Sequence, residues 1–289
     1  MRLTYLVAAL ASVASIAEAW NAPNYSGFKR NFNANFIGPK GKQPDPAKWN
    51  YRTGDLNDNN EVQRWTTAKR NIQYSGEGTM QIVPWRDSKA PKGWTSARIE
   101  SKFTLTPTDK RITRVEASIR VGGNPPSRKQ GIWPAFWMMG DVHRKNKVPW
   151  PACGEVDIFE TINGLKEAYG VVHCDKQPGG ACNEPIGLVK GTPLTDSKFH
   201  VYRLDFDRRN SDWRKQSMTW YVDGKQFHRI TGAQINKKDV WASLCHKPLY
   251  FIMNVAVGGN WPGPPNEKTL GGVGSMLEFG YVAHYTSNQ

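Results

Sequence analysis

Helical periodicity is hard to find in this chain. What recurs is a short apolar or alternating run, closed by Gly, Pro, Asn or Asp and followed by another such run. Side chains that alternate between two faces belong to strands, and many short strands divided by turn residues belong to an all-β sandwich. The pattern predicts strands over residues 80–83, 96–105, 113–121, 131–138, 155–161, 170–173, 200–207, 217–222, 249–257 and 276–285. Asp223-Gly224, between Val222 and Lys225, is a strong hairpin signal. Only residues 233–244 hint at a short helical piece. Residues 20–289 contain no repeat, low-complexity linker or break in composition. One large domain is therefore expected, its core lying between two sheets packed face to face.

The first nineteen residues stand outside that pattern. Met1-Arg2 supplies a positive start, residues 6–16 form a short apolar stretch, and Ala17-Glu18-Ala19 has the small-x-small spacing of a cleavage site. These are the marks of a secretory signal, too short to span a membrane, with the mature chain beginning at Trp20. No other apolar run approaches the ~18 residues a spanning helix needs. A soluble protein, secreted to the extracellular space or cell wall and acting as a monomer, is expected.

Export places the four cysteines in oxidising surroundings, where an even set favours disulfides. The Pro-Gly-Gly turn inside DKQPGGA favours a bridge between Cys174 and Cys182, and Cys153 with Cys245 follows by elimination. Zinc is the rival reading, but the chain has no C-x-x-C pair and no H-x-x-x-H array. Asn24-Tyr25-Ser26 is a glycosylation acceptor that suits an exported chain. The net charge of +14 survives loss of the leader, because Arg2 and Glu18 leave together. Its bases are scattered, in groups no longer than pairs such as Lys29-Arg30, Arg208-Arg209 and Lys237-Lys238. With no basic helix or stripe, nucleic acid is not an expected partner, whereas attraction to an acidic wall or matrix is compatible with the charge.

Twelve tryptophans exceed what a core of this size requires. Several lie in Pro/Gly company: Trp133 in GIWPAF, Trp150 in VPWPAC and Trp261 in GGNWPGPP. A Trp so placed sits at a sheet rim or in a loop, where its flat face can stack on the apolar C–H face of a sugar ring. The remaining majority are expected in the core, since Trp buries a large area wherever it sits.

Glu155-Val156-Asp157-Ile158-Phe159-Glu160 poses a question of parity. In a regular strand Glu155 and Asp157 share a face and Glu160 takes the other. Paired carboxylates beside sugar-stacking aromatics point to glycoside hydrolysis, which requires both acids in one cleft. Glu160 joins the others only if an extra residue resets the alternation, and a β-bulge at Ile158-Phe159 is therefore predicted. A flat strand would separate residues 155 and 160 by about 16 Å at ~3.3 Å per residue. A retaining enzyme needs its carboxyl groups about 5–5.5 Å apart and an inverting one about 6.5–9.5 Å, a choice the spacing alone leaves open. Three acids on one face repel, which should raise one of them, cast here as Glu160, enough to keep it protonated near neutrality. An arbitrary E-x-D-x-x-E is most often a solvated strand face, but bulky apolar neighbours and nearby tryptophans count against that here.

GEVDIFE resembles the bulged E-x-D-x-x-E signature of glycoside hydrolase family 16, in the laminarinase-like β-1,3-glucanases. Supporting blocks are TSARIESK at 95–102, GIWPAFWMMGD at 131–141, YVDGK at 221–225 and FIMNVAVGGNWPG at 251–263. The likeness runs from about residue 60 to the end, nearest to secreted fungal members. It implies a concanavalin A-like β-jelly-roll sandwich of two curved antiparallel sheets, with a substrate cleft on the concave face and a retaining mechanism. By the same resemblance Glu155 is the nucleophile, Asp157 its electrostatic helper and Glu160 the acid/base. Trp133, Arg98, His173, Asn254 and Trp261 are implied to line the cleft, although a lone His, a strand Arg or a buried Asn more commonly has only a structural task. No cofactor is implied; family members sometimes hold a structural calcium away from the cleft, and this chain shows no dense acidic loop for one. The insert around Cys174–Cys182 and the placing of Cys153 depart from the short bacterial pattern.

An endo-acting hydrolase of β-1,3-glucan or mixed β-1,3/1,4-glucan is the leading expectation. An endo-β-1,3-galactanase, a cell-wall transglycosylase and a non-catalytic lectin-like module on the same jelly roll are the alternatives. The intact acid triad weighs against the last, because a pure binder has no use for a charged nucleophile and its acid partner.

Overall fold

The computed structural model of the protein describes residues 20–55, 58–145 and 147–288, so the expected leader over 1–19 lies outside the described residues. An eight-stranded sheet runs β16 (Lys225–Thr231), β15 (Ser217–Val222), β14 (His200–Asp207), β9 (Ile112–Val121), β18 (Leu277–Ser287), β5 (Met80–Ile82) and β4 (Ile72–Tyr74), with β1 (Phe28–Asn35) also paired to β18. A seven-stranded sheet runs β13 (Lys190–Pro193), β12 (Glu167–His173), β11 (Glu155–Glu160), β10 (Ile132–Gly140), β17 (Leu249–Val257), β8 (Arg98–Ser101) and β2 (Trp49–Tyr51). All pairings in these two sheets are antiparallel. A third, small sheet joins β3 (Gln63–Trp65), β7 (Trp94–Ser96) and β6 (Trp85–Arg86), with β3 and β7 parallel.

The two large sheets meet face to face, as the alternating runs require. One cluster takes Val115, Ala117 and Ile119 from β9 and Leu204 and Phe206 from β14, against Phe136 and Met138 of β10 and Phe251, Met253 and Val255 of β17. Phe136 meets Phe279 with ring centres 5.9 Å apart, and Phe159 meets Tyr202 at 4.6 Å. Each such ring stabilises the sandwich by about 1.5–3 kcal/mol through burial.

Helices are few and short: α1 (Asp141–Arg144), α2 (Gly232–Ile235) and α3 (Lys238–Cys245). The single helix expected over 233–244 is thus two, divided where Asn236 takes the left-handed conformation at φ 52°. Among the described residues no helix is long and apolar enough to cross a membrane.

Cys174 and Cys182 are bridged, with Cα atoms 5.3 Å apart. The expected second bridge is absent: Cys153 and Cys245 are free and buried. Cys153 packs with Met139, Tyr250 and Ile252, whereas Cys245 ends α3 inside the main core. The side chains of Tyr250 and Ile252 alternate with Phe251 and Met253, so the two thiols occupy opposite faces of the seven-stranded sheet.

Candidate active site

The predicted bulge is present. Asp157 pairs with Trp137 and Phe159 with Phe136, leaving Ile158 as the extra residue, and the register with β12 shifts across the same point. Its consequence is visible in the packing: Val156, Ile158 and Phe159 all enter the main core. Two successive residues thereby share one face, and Glu160 comes round to the side of Glu155 and Asp157.

Strand register then lays the site out in rows. Tyr169, Glu160, Ala135, Asn254 and Arg98 lie in line across β12, β11, β10, β17 and β8. Val171, Asp157, Trp137 and Ile252 form the next row, and His173, Glu155, Met139 and Tyr250 the third. All five residues implied for cleft lining therefore gather with the acids or at the rim beside them. Trp133 Nε1 donates to Glu160 Oε2 at 3.0 Å, and its ring meets Trp261 edge-on at 5.6 Å. Trp261 is 42% exposed and also touches Tyr169, at 5.4 Å, so a broad aromatic wall stands beside Glu160. Asn254 Oδ1 accepts from Trp137 Nε1 at 2.8 Å. Arg98 bridges to Glu100 at 2.8 Å and covers the Trp137 ring at 5.0 Å, so the strand ion pair and the cleft position coexist.

Donor atoms of Glu155, Asp157 and His173 lie within 4.8 Å of one another. Burial is the largest influence on all three carboxyls. It pushes Glu155 and Glu160 up to about 7 and Asp157 well above the usual carboxylate range. The charges of Glu155, Glu160 and Glu184 push Asp157 further the same way, while His173 and Arg98 pull Glu155 back. Hydrogen bonds from two indoles act similarly, Trp150 on Glu155 and Trp133 on Glu160. Repulsion was expected to raise one acid; instead three are raised, because desolvation acts on every carboxyl the cleft encloses.

Trp137, Tyr169 and Glu184 were not expected here, whereas Trp150 had been picked out only as a sugar-stacking face. Trp137 was accessible, since it is four residues from Trp133 on one strand and therefore on the same face. Trp150 packs against His173 with ring centres 5.5 Å apart. Glu184 had no periodic signal, because it sits in a loop rich in turn residues.

An acid pair brought to one face by a bulge, with a third acid between and tryptophans around it, also typifies a known family. The family model for glycosyl hydrolases family 16 matches residues 59–276. This chain belongs to glycosyl hydrolases family 16. It is 29% identical over 230 residues to a beta-glucanase of Rhodothermus marinus, covering 76% of this chain and 73% of that one. It is also 29% identical over 277 residues to glucan endo-1,3-beta-glucosidase A1 of Niallia circulans, covering 83% of this chain but 36% of that longer protein. The crystal structure of an endo-1,3-beta-glucanase from Streptomyces sioyaensis superposes with a TM-score of 0.86 at 30% identity, covering 93% of this chain and all of that one. The jelly-roll sandwich and glycoside hydrolysis are thus established for the family 16 chain.

Proposed function

We propose that this family 16 hydrolase is an exported, retaining endo-β-1,3-glucanase acting on β-1,3- or mixed β-1,3/1,4-glucan. The observation that carries the reading is the bulge at Ile158, which places Glu155 and Glu160 on one face with Asp157 between them. Relatives named for β-1,3-glucan hydrolysis support the choice of sugar.

Glu155 attacks the anomeric carbon as a carboxylate while the glycosidic C–O bond breaks and the Glu160 proton passes to the leaving oxygen. Glu160, now ionised, takes a proton from water, whose oxygen displaces Glu155 from the sugar. Two inversions return the original anomer. Burial and the neighbouring carboxylates favour the protonated form of Asp157, which would spare the nucleophile a second negative charge at its side. Indole faces of Trp133 and Trp261 supply the surface on which a sugar ring stacks.

The test is product release from laminarin, mixed-linkage β-glucan and β-1,3-galactan, beside Glu155→Gln. Oligosaccharides from the glucans, lost in the variant by at least 10³-fold or so for removal of a nucleophile, support the reading. Release from galactan alone reassigns the sugar. Activity that survives Glu155→Gln refutes the assigned nucleophile.

A further inference from the structure

Glu184 is a buried carboxylate aimed at the site for which the reaction above has no use. It follows the loop closed by the Cys174–Cys182 bridge, and its side chain is 0% exposed. Both its oxygens are engaged: Oε1 accepts from the Cys174 backbone N–H and Oε2 meets His173 Nδ1, each at 2.7 Å. The bridge ties the neighbour of His173 to a residue two positions before Glu184, so it clamps both ends of this contact. Gly187, at φ 78°, lets the same loop close on the imidazole; an added Cβ there would stand 2.9 Å from His173 Cε1. On the other side of the ring Nε2 lies 3.9 Å from Asp157 Oδ2, a buried atom with no hydrogen-bond partner among the described residues.

We propose that Glu184 is a positioning residue for the hydrolysis: it anchors His173 through Nδ1 and thereby presents Nε2–H to Asp157 and the glutamates on either side of it. The inference rests on the reading of Glu155 and Glu160 given above. A lone buried carboxylate is costly, so the contact is best satisfied by an imidazolium donating to it. Burial pulls His173 down, but the Glu184 hydrogen bond and the charges of Glu155, Glu184 and Glu160 outweigh it and hold the ring above its ordinary value. Asp157, Glu155 and Glu160 face the ring from β11 and Glu184 from the loop; Trp150 flanks it, and Arg98 acts on Glu155 from β8. The positive ring lowers both glutamates, and on Glu155 it outweighs the opposing charge of Glu184.

Glu184→Gln tests this with little change of shape. The amide oxygen keeps the Cys174 N–H, and the amide nitrogen then faces Nδ1, which can only accept. The ring is left neutral with its proton on Nε2. In ¹³C-histidine-labelled protein, wild-type His173 should titrate above ~6.5 and the variant at least about one pH unit lower. Both limbs of the kcat/KM profile on laminarin should move up by about one pH unit, with kcat changed more than KM. Glu184→Asp, which keeps the charge, should restore part of each shift. A wild-type His173 that titrates below ~6.5 overturns the proposal without recourse to any variant. So does a variant whose activity falls evenly at every pH with both limbs in place, the mark of a merely structural contact. If the wild type releases nothing from laminarin, the glucanase reading fails, and the histidine titration still decides whether Glu184 governs His173.

Discussion

Trp133→Phe isolates a single hydrogen bond on the residue assigned as acid/base. The indole N–H donates to Glu160 at 3.0 Å, and this bond pulls against the burial that has raised Glu160 to about 7. A hydrogen bond to a buried charged group contributes about 1.5–3 kcal/mol. The protonated acid keeps part of that bond through its carbonyl oxygen, so the difference between the two states is about 1.4 kcal/mol, or about one pH unit. The bond favours the ionised form, and its loss moves Glu160 further up. Glu160 must be protonated to cleave, so the falling limb of kcat/KM against pH should shift upward by about one unit. The rising limb, set by ionisation of Glu155, should stay near its place. Laminarin hydrolysis followed from pH 4 to 10 reads both limbs. Trp261→Phe is the control, because that ring touches Trp133 but donates nothing to Glu160; it should change KM and leave the limbs alone. A falling limb that stays fixed or moves down in Trp133→Phe would refute the assignment of Glu160 as the acid.

Two further perturbations test the scaffold. Gly170 lies opposite the bulge, and an added Cβ would stand 2.7 Å from Trp220 Cδ1, whose ring N–H donates to the Asp157 carbonyl at 2.8 Å. Gly170→Ala should therefore cost about 1–3 kcal/mol of stability and lower kcat as well; a variant with wild-type melting temperature and kcat contradicts the packing described. Lys129 is 7% exposed, donates to the Gly122 carbonyl, and is pulled down to about 8 by burial. Its folded-state value lies below the unfolded one, so the burden of charging it is present in full below pH 8 and is relieved as pH rises toward ~10.4. Lys129→Met should raise the unfolding free energy at pH 7, read from urea titration, by at most about 3 kcal/mol, and the gain should fade by pH 10. A gain independent of pH would show that the lysine's charge is not its cause.

Alternation made the central strands legible. Residues 200–207, 217–222 and 249–257 match β14, β15 and β17 at both ends, because buried inner strands carry the apolar runs from which strands are read. β1, with sequence FKRNFNAN, escaped notice because its side chains are mostly polar and exposed, and its place depends on pairing with β18. The bulge was legible because Ile158 and Phe159 break the parity of three acids. Glu184 was not: a carboxylate beside Pro and Gly reads as solvated, and only the disulfide-closed loop buries it. The Cys153–Cys245 expectation failed for a related reason, since elimination counts thiols without knowing which face of a sheet each one occupies.

The final strand has a consequence for how the molecule comes into being. β18 is neither an edge nor a tail: it lies between β9 and β5 and also receives β1. A chain made from its N-terminus can pair β9 with β14 and β5 with β4, but one edge of each, and the whole of β1, waits unpaired until residues 277–287 arrive. Contacts so distant in sequence form slowly, after the loop entropy between them has been overcome. The sandwich therefore stays open along β9, β5 and β1 until residues 277–287 take their place. Loss of its last eleven strand residues would leave three strands without their common neighbour.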